Sequence, residues 1–455
     1  MAGGPGSTKI LTARNDRSPL ERALGVFTDV HAGEGLTALL LALNVFLILM
    51  AYYVLKPVRE ALILGGGSPE LKSYMSAVQV GVLLVLVPAY GKLVAKLPRM
   101  RLINVVTGLF AACLLAFYFA AQAGLSIGIV FFLWIGIFNL MIVAQFWSFA
   151  NDVYTKDQGE RLFAIVGFGA SLGAVVGAKL AGGLIEPIGI NPLLLLGAAV
   201  LGMQVLITNW IDAREREHRR TRAAVEPARK PPSGKNAFAM VFQTRYLLLI
   251  ALMLMLLNWV NTTGEYILGS IVDQAAGKAV LAGSSLSKGE LIGTFYSKYF
   301  LMVNGLGLVL QLFVVSRIVK HWGVRWAVMI LPGLAFVGYN VLAFLPVLTA
   351  VLAAKVVENS IDYSLNNTVR NMLFLPCTYE QKFSAKQAID SFFVRMGDVL
   401  SALLVFVGTT MLGLSPRGFA GFSVVLVAVW LVLAWRVGRT YAALTEPTVL
   451  PQRAA

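Results

Sequence analysis

From Ile211 to Asn236 the chain reads IDAREREHRRTRAAVEPARKPPSGKN. This is the longest polar run between apolar stretches, and it divides them evenly. A bilayer-crossing helix needs about 20 predominantly apolar residues. Six such stretches precede the run, at about 36–64, 74–95, 102–123, 126–150, 162–186 and 190–211. Six follow it, at about 246–272, 291–316, 325–345, 347–375, 387–412 and 418–437. The pattern predicts an all-α membrane protein of twelve transmembrane helices in two pseudo-symmetric six-helix bundles. The expected parts are a cytoplasmic tail (1–35), an N-terminal bundle (36–211), a cytoplasmic basic linker (212–245), a C-terminal bundle (246–437) and a second cytoplasmic tail (438–455).

Composition agrees. The 455 residues are 58% hydrophobic and 13% charged, with a mean hydropathy of +0.75, whereas a soluble domain averages about 25% charged residues. Residues 1–35 are polar and lack the short apolar core of a cleavable signal. Lys and Arg in the loops set orientation. With the N-terminus inside, the outer loops hold only Lys72, Lys278, Lys288 and Arg417 of the 38 basic residues. Both termini are therefore expected in the cytoplasm, with the chain in the cell (inner) membrane. The same asymmetry accounts for the net charge of +15, so nucleic acid is not an expected partner. Cys113 and Cys377 are too few and too separated for a disulfide framework. The three histidines, His31, His218 and His321, show no metal-ligand spacing.

The two halves repeat. Gly91-Lys92-Leu93-Val94 follows the second span, and Ser316-Arg317-Ile318-Val319 follows the eighth, 225 residues later (316 − 91). Thr155-Lys156-Asp157-Gln158 follows the fourth span, and Thr378-Tyr379-Glu380-Gln381 follows the tenth, 223 residues later (378 − 155). Two matches at nearly one offset suggest duplication. Six plus six spans, a central linker and basic turns after the second and eighth spans resemble the major facilitator superfamily. The resemblance implies substrate binding near the midplane and alternating access.

Six cations, Lys56, Arg59, Lys298, Lys355, Arg370 and Arg395, lie inside the apolar stretches. A charge at the bilayer centre costs at least ~2.5–3.5 kcal/mol on insertion scales. The simplest use of so many is a water-filled path for an anion. In the first span, Lys56, Arg59 and Glu60 share a helical face with Pro57 between them. An Arg there offers a bidentate fork for phosphate oxygens. In the tenth span Lys355, Glu358, Asn359, Asp362, Asn366 and Arg370 recur every three or four residues. A stripe this polar cannot face lipid. The seventh span carries Asn258, Asn261, Thr262, Thr263 and Glu265. That carboxylate is expected to carry protons, accept a substrate amine or pair with a cation, Lys56 or Arg59 among them. Arg395 and Asp398 add charge in the eleventh span. Gly169, Gly173 and Gly177 in the fifth span form a small-xxx-small pattern that reads as helix packing. Gly65-Gly66-Gly67-Ser68 lacks the context of a phosphate loop.

Four segments are similar to the nucleotide transporter family, the ADP,ATP carriers of plastids and intracellular bacteria. They are Tyr53-Val-Leu-Lys56-Pro57-Val-Arg59-Glu60-Ala-Leu62, Phe146-Trp147-Ser-Phe-Ala-Asn151-Asp152, Gly264-Glu265, and Tyr363-Ser-Leu-Asn366-Asn-Thr-Val-Arg370-Asn-Met372. The resemblance implies functional cations at Arg59 and Arg370 and an acid at Glu265. The chain departs from the family in two ways. Both cations are Arg where characterised members have Lys, and the expected fourth-span acid is missing from Phe132-Leu-Trp134-Ile135-Gly136-Ile137. The expected function is exchange of ATP for ADP, or handling of another small anionic solute, by a monomer in the lipid bilayer. Lys56, Arg59, Lys298, Lys355, Arg370 and Asn366 are the expected substrate contacts. Glu60, Glu265, Glu358, Asp362, Arg395 and Asp398 are the expected coupling or gating groups. No cofactor, metal or enzymatic activity is expected. The rival readings are a proton-coupled transporter of another organic anion or drug-like solute, and a membrane-embedded sensor or scaffold.

Overall fold

Glycine and polar side chains decide where these apolar helices touch. The computed structural model describes residues 18–25, 28–223, 237–378 and 380–445. Most of the expected N-terminal tail, the linker from 224 to 236, Tyr379 and residues 446–455 lie outside the described residues. The described residues form helices and no strand. A short α1 (Pro19–Leu24) precedes α2 (Gly35–Gly65), α3 (Pro69–Lys96), α4 (Arg99–Gln122), α5 (Gly128–Val153), α6 (Lys156–Ile188) and α7 (Pro192–Ala223). Then come α8 (Ala237–Gln243), α9 (Arg245–Leu281), α10 (Lys288–Phe313) and α11 (Val315–Phe344). The tenth expected span is α12 (Leu348–Ile361), a π-turn (Asp362–Asn366) and α13 (Asn367–Met372). The eleventh runs from a π-turn (Gln381–Ala385) through α14 (Lys386–Ala388) and a second π-turn (Ile389–Phe393) into α15 (Val394–Thr410), and α16 (Pro416–Thr445) is the last.

Ten of these helices are long and apolar enough to cross a membrane. The eighth and tenth expected spans fall on α10 and α12–α13, where Lys298, Lys355, Glu358, Asp362 and Arg370 lower the hydropathy. A polar stripe of that kind needs protein or water beside it, not lipid. Pro57 sits inside α2, which continues through it to Gly65. Gly323 breaks α11 with φ of +70°, a conformation that costs a residue with a Cβ but not glycine.

The helices form two compact units. The first comprises Met1–Gly66, Leu83–Arg229 and Gly289–Leu301; the second comprises Gly67–Val82, Lys230–Lys288 and Met302–Ala455. In the first unit α2 is the central helix. A Cβ at Gly169, Gly173 or Gly177 would collide with the backbone carbonyls of Ala42, Phe46 and Met50 in turn. The pattern therefore acts in packing: steps of four on α6 meet steps of four on α2. Such close approach supplies dispersion contacts where no hydrophobic drive exists between helices in lipid. On α5, Trp134 stacks on Phe131 and Phe138 at centroid distances of 5.5 and 5.4 Å.

In the second unit α9 takes the corresponding place. A Cβ at Gly397 of α15 would lie 2.7 Å from both the Met255 carbonyl oxygen and the Trp259 nitrogen on α9. Gly397 follows Gly173 by 224 residues (397 − 173), the repeat offset again. The second echo is a helix cap. Thr155 and Gln158 form a reciprocal capping box at the start of α6. The Thr378 amide donates to Gln381 Oε1 at 3.0 Å, and the Gln381 amide donates to Thr378 Oγ1 at 3.4 Å. Each box satisfies two otherwise orphaned amides. The threonine–glutamine repeat of the sequence is thus a structural signal copied in both halves.

Candidate functional site

Two charged constellations emerge, one in each unit. In the first, Lys56 is buried on α2 within an aromatic cage. Its Nζ lies 4.2 Å from the Phe300 centroid, 5.1 Å from Tyr53 and 5.6 Å from Tyr52. Aromatic faces attract a cation by their quadrupole and more so when water is excluded. One turn on, Arg59 pairs with the fully buried Glu60, its Nε donating to Oε1 at 3.0 Å. Beneath it, the Phe132 centroid lies 5.0 Å from the guanidinium carbon. The segment from which the family's fourth-span acid is absent thus supplies an aromatic face to the same cation. Lys298 belongs to α10 beside Tyr296 and Tyr299, both buried, and is itself exposed.

The motif from Phe146 to Asp152 lies at the C-terminal end of α5. Asp152 pairs with Arg99, which also donates to Ser148 Oγ at 2.6 Å. Nearby, Arg161 donates to both oxygens of Glu34 at 3.0 Å. Burial pushes the Glu34 carboxyl up, but hydrogen bonds from Arg161, the His31 amide and Gln158 outweigh it and hold the group below its ordinary range.

The second constellation centres on Lys355, which is 0% exposed. Its ammonium donates to Asn261 Oδ1 at 2.7 Å and to Glu358 Oε2 at 3.2 Å, and lies 3.8 Å from Glu265 Oε1. Asn359 donates to that same Glu265 oxygen at 3.0 Å. Tyr339 of α11 donates to the Val260 carbonyl at 3.0 Å and approaches Glu358 at 3.5 Å. Gly264 makes this convergence possible. A Cβ there would collide with the Tyr339 hydroxyl and sit 3.0 Å from Lys355 Nζ. The Gly264-Glu265 pair is thus a steric requirement followed by a charge.

Lys72 is the residue that sequence reasoning misplaced. It reads as an outer-loop cation, yet it lies buried in α3, its Nζ 4.0 Å from Glu265 Oε2. The missed signal is Ser68-Pro69-Glu70, a helix start with a cap, a proline in the first turn and an acid. Ser68 Oγ accepts from the Leu71 amide at 3.2 Å, and Glu70 Oε1 accepts from Tyr266 at 2.9 Å. Of the roles the sequence leaves open for Glu265, pairing with a cation is represented within the second unit by Lys355 and Lys72.

The rest of the polar stripe does not follow one α-helical face, because the π-turn inserts a residue into the register. Asn366 donates to Asp362 Oδ1 at 2.7 Å. Arg370 pairs with Asp390, an acid of the second π-turn. Arg395 lies 3.3 Å from Asp398 Oδ2. The other oxygen of Asp398 accepts from Asn258 and Thr262 at 2.8 and 2.7 Å. Lys355, expected to contact substrate, is surrounded by protein partners in this state. Arg59 and Arg370 keep part of their surface exposed. Among the described residues no group of His, Cys, Asp and Glu is arranged to hold a metal.

The comparisons with known proteins agree with this geometry. A family model described as Major Facilitator Superfamily matches residues 25–361. ADP,ATP carrier protein 1 of Chlamydia pneumoniae is 22% identical over 348 residues, which cover 67% of this chain and 65% of that carrier. ADP,ATP carrier protein 2 of Chlamydia trachomatis serovar D is 22% identical over 363 residues, 68% of this chain and 64% of that one. The chain therefore spans just under two thirds of the length of these relatives. A mutant of the nucleoside transporter NupG superposes with a TM-score of 0.62 at 13% identity, over 90% of this chain and all of that one. A bacterial homologue of the human lysosomal transporter Spinster gives 0.57 at 15% identity, over 91% and 98%. These structures share the fold. The model match covers most of the chain: this chain belongs to the Major Facilitator Superfamily and is a multi-pass membrane protein.

Proposed function

We propose that this transporter exchanges phosphorylated nucleotides, ATP against ADP, by alternating access. The observation that carries the reading is that its intramembrane cations hold internal carboxylates: Glu60 on Arg59, Asp390 on Arg370, Asp398 on Arg395. Each carboxylate occupies a guanidinium as a phosphate oxygen would, so an incoming polyanion exchanges one charged partner for another instead of meeting bare cations. The planar Arg fork suits phosphate. The names of the chlamydial relatives support the same substrate class. In this reading Arg59 and Arg370 contact phosphate, and Lys56, Lys298 and Asn366 are further substrate contacts. Lys355 positions Glu265, and Glu265, Glu358, Asp362 and Asp398 couple occupancy to conformational change. The protein acts as a monomer in the inner membrane with both termini in the cytoplasm.

Reconstituted liposomes test this. Labelled ATP should enter vesicles preloaded with ADP and enter empty ones poorly. Arg59→Ala and Arg370→Ala should each weaken nucleotide binding by ~2–5 kcal/mol, the range for truncating one member of a buried charged pair. That is a factor of about 30 to several thousand. Binding of no nucleotide by the parent would end the assignment. One feature favours a second reading, a proton-coupled transporter of another organic anion: Phe132 lies under Arg59, in the segment where the family has an acid. Uptake into empty vesicles driven by a pH gradient, with no stimulation by internal ADP, would select it.

A further inference from the structure

We propose that the second unit carries a binding site for an anionic phospholipid, built by Arg245, Arg436 and Arg439 around Trp435. These residues, with Leu249 and Thr440, line a groove of about 480 Å³ between the start of α9 and the end of α16. Among the described residues, none of the three guanidiniums meets a carboxylate, and α16 contains no acid at all. The corresponding end of the first half is different. On α7, Arg214 lies 3.5 Å from Glu215 and Arg216 lies 3.1 Å from Asp212. Arg214 and Arg216 thus meet acids of their own helix, whereas the second half leaves three arginines facing one groove.

Arg436 and Arg439 lie nine and six residues before the end of α16 at Thr445 (445 − 436 and 445 − 439), outside its last turn, so the helix dipole does not account for their presence. Arg245 is placed differently. It is the first residue of α9, at the positive end, and the preceding Thr244 makes no side-chain cap bond. An anion placed there meets the first-turn amides and the three guanidiniums together.

The surroundings distinguish a lipid from a free anion. Phe422, Val425, Val429, Val432 and Trp435 are all exposed and recur every three or four residues. They form one apolar stripe along α16 that ends at Arg436 and Arg439. Acyl chains fit that stripe, and a phosphate headgroup reaches the arginines at its end. Arg439 lies over the Trp435 ring at 4.9 Å, which places an amphipathic indole between chain and headgroup, where such rings concentrate. Basic pockets between transmembrane helices on the inner side bind anionic headgroups in this manner.

The test uses purified full-length protein in neutral detergent, titrated with phosphatidylglycerol, phosphatidylcholine or inorganic phosphate. Native mass spectrometry reads bound lipid, and thermal unfolding reads stabilisation. Phosphatidylglycerol should be retained and stabilising, and the other two should not. Each cation at an anionic surface contributes a factor of about five, so R436Q/R439Q should weaken phosphatidylglycerol retention about twenty-five-fold. Arg417→Gln, at the other end of α16, should change it little. Undiminished retention in R436Q/R439Q would overturn the site. Equal retention of phosphatidylcholine would overturn the headgroup chemistry, and equal stabilisation by inorganic phosphate would replace the lipid with a free anion. If R436Q/R439Q does not fold, the contrast between the lipids in the parent and the same titration of Arg245→Gln decide.

Discussion

Lys355→Met offers a stringent test of the second constellation. Methionine keeps much of the lysine volume and removes the charge. The ammonium lies 3.2 Å from Glu358 and 3.8 Å from Glu265. At an effective dielectric of about 20, those separations correspond to gross attractions of about 5 and about 4 kcal/mol. Removing a charged group from water offsets much of that. Breaking a buried pair nevertheless costs about 3–5 kcal/mol, because the surviving charge is left without compensation. Glu265 keeps Lys72 at 4.0 Å and the Asn359 amide. Glu358 keeps only the distant Tyr339 hydroxyl among its described partners. Most of the loss in Lys355→Met should therefore come from Glu358, and the K355M/E358L double variant should recover at least ~2 kcal/mol of it. Unfolding titrations of the four proteins in mixed micelles, followed by circular dichroism, measure the cycle. A double variant as unstable as the sum of the two singles would show that the pair is not coupled, and the account of Lys355 as a charge keystone would fall.

Packing, pH and topology yield further expectations. Gly173→Val should separate α6 from α2, costing about 1–3 kcal/mol or more as an overpacked contact, measured by the same titration; an unchanged midpoint would contradict the close approach. Gly264→Ala should strike the Tyr339 hydroxyl and disturb Lys355, so it should reduce transport more than Gly277→Ala, which faces open space. The folded Glu34 carboxyl is held below its ordinary value of 4.5. Its contribution to stability is then fully present above that value and fades as pH falls through the lower folded one. Glu34→Gln should therefore flatten the acid limb of a stability–pH curve while lowering the plateau near neutrality; an identical acid limb would refute its role. With Cys113 and Cys377 replaced, Gly283→Cys should react with an impermeant thiol reagent from outside and Ser233→Cys should not; the reverse pattern would invert the orientation.

The period and length of the apolar stretches, the central basic linker and the 223–225-residue repeat sufficed for a twelve-helix reading, because bilayer thickness and backbone hydrogen bonding leave few alternatives. Glycine spacing on α6 also predicted its packing role, since a residue every four positions stays on one helical face. The site was legible only as an inventory of charges. Which cations meet Glu265 depends on contacts between residues far apart in the chain. Glu265 lies 90 residues from Lys355 (355 − 265) and 193 from Lys72 (265 − 72), and no local rule links them. Lys72 reads as a loop cation because its helix begins in a polar turn, where hydropathy is silent and only the Ser68-Pro69 cap speaks. The π-turn at Asp362–Asn366 was likewise invisible, since it changes hydrogen-bond register without changing composition. Helix number and repeat are properties of the chain one stretch at a time, and the sequence determined them. The partners of Glu265 and Arg370 are set by how those helices close on one another, and tertiary structure alone decided them.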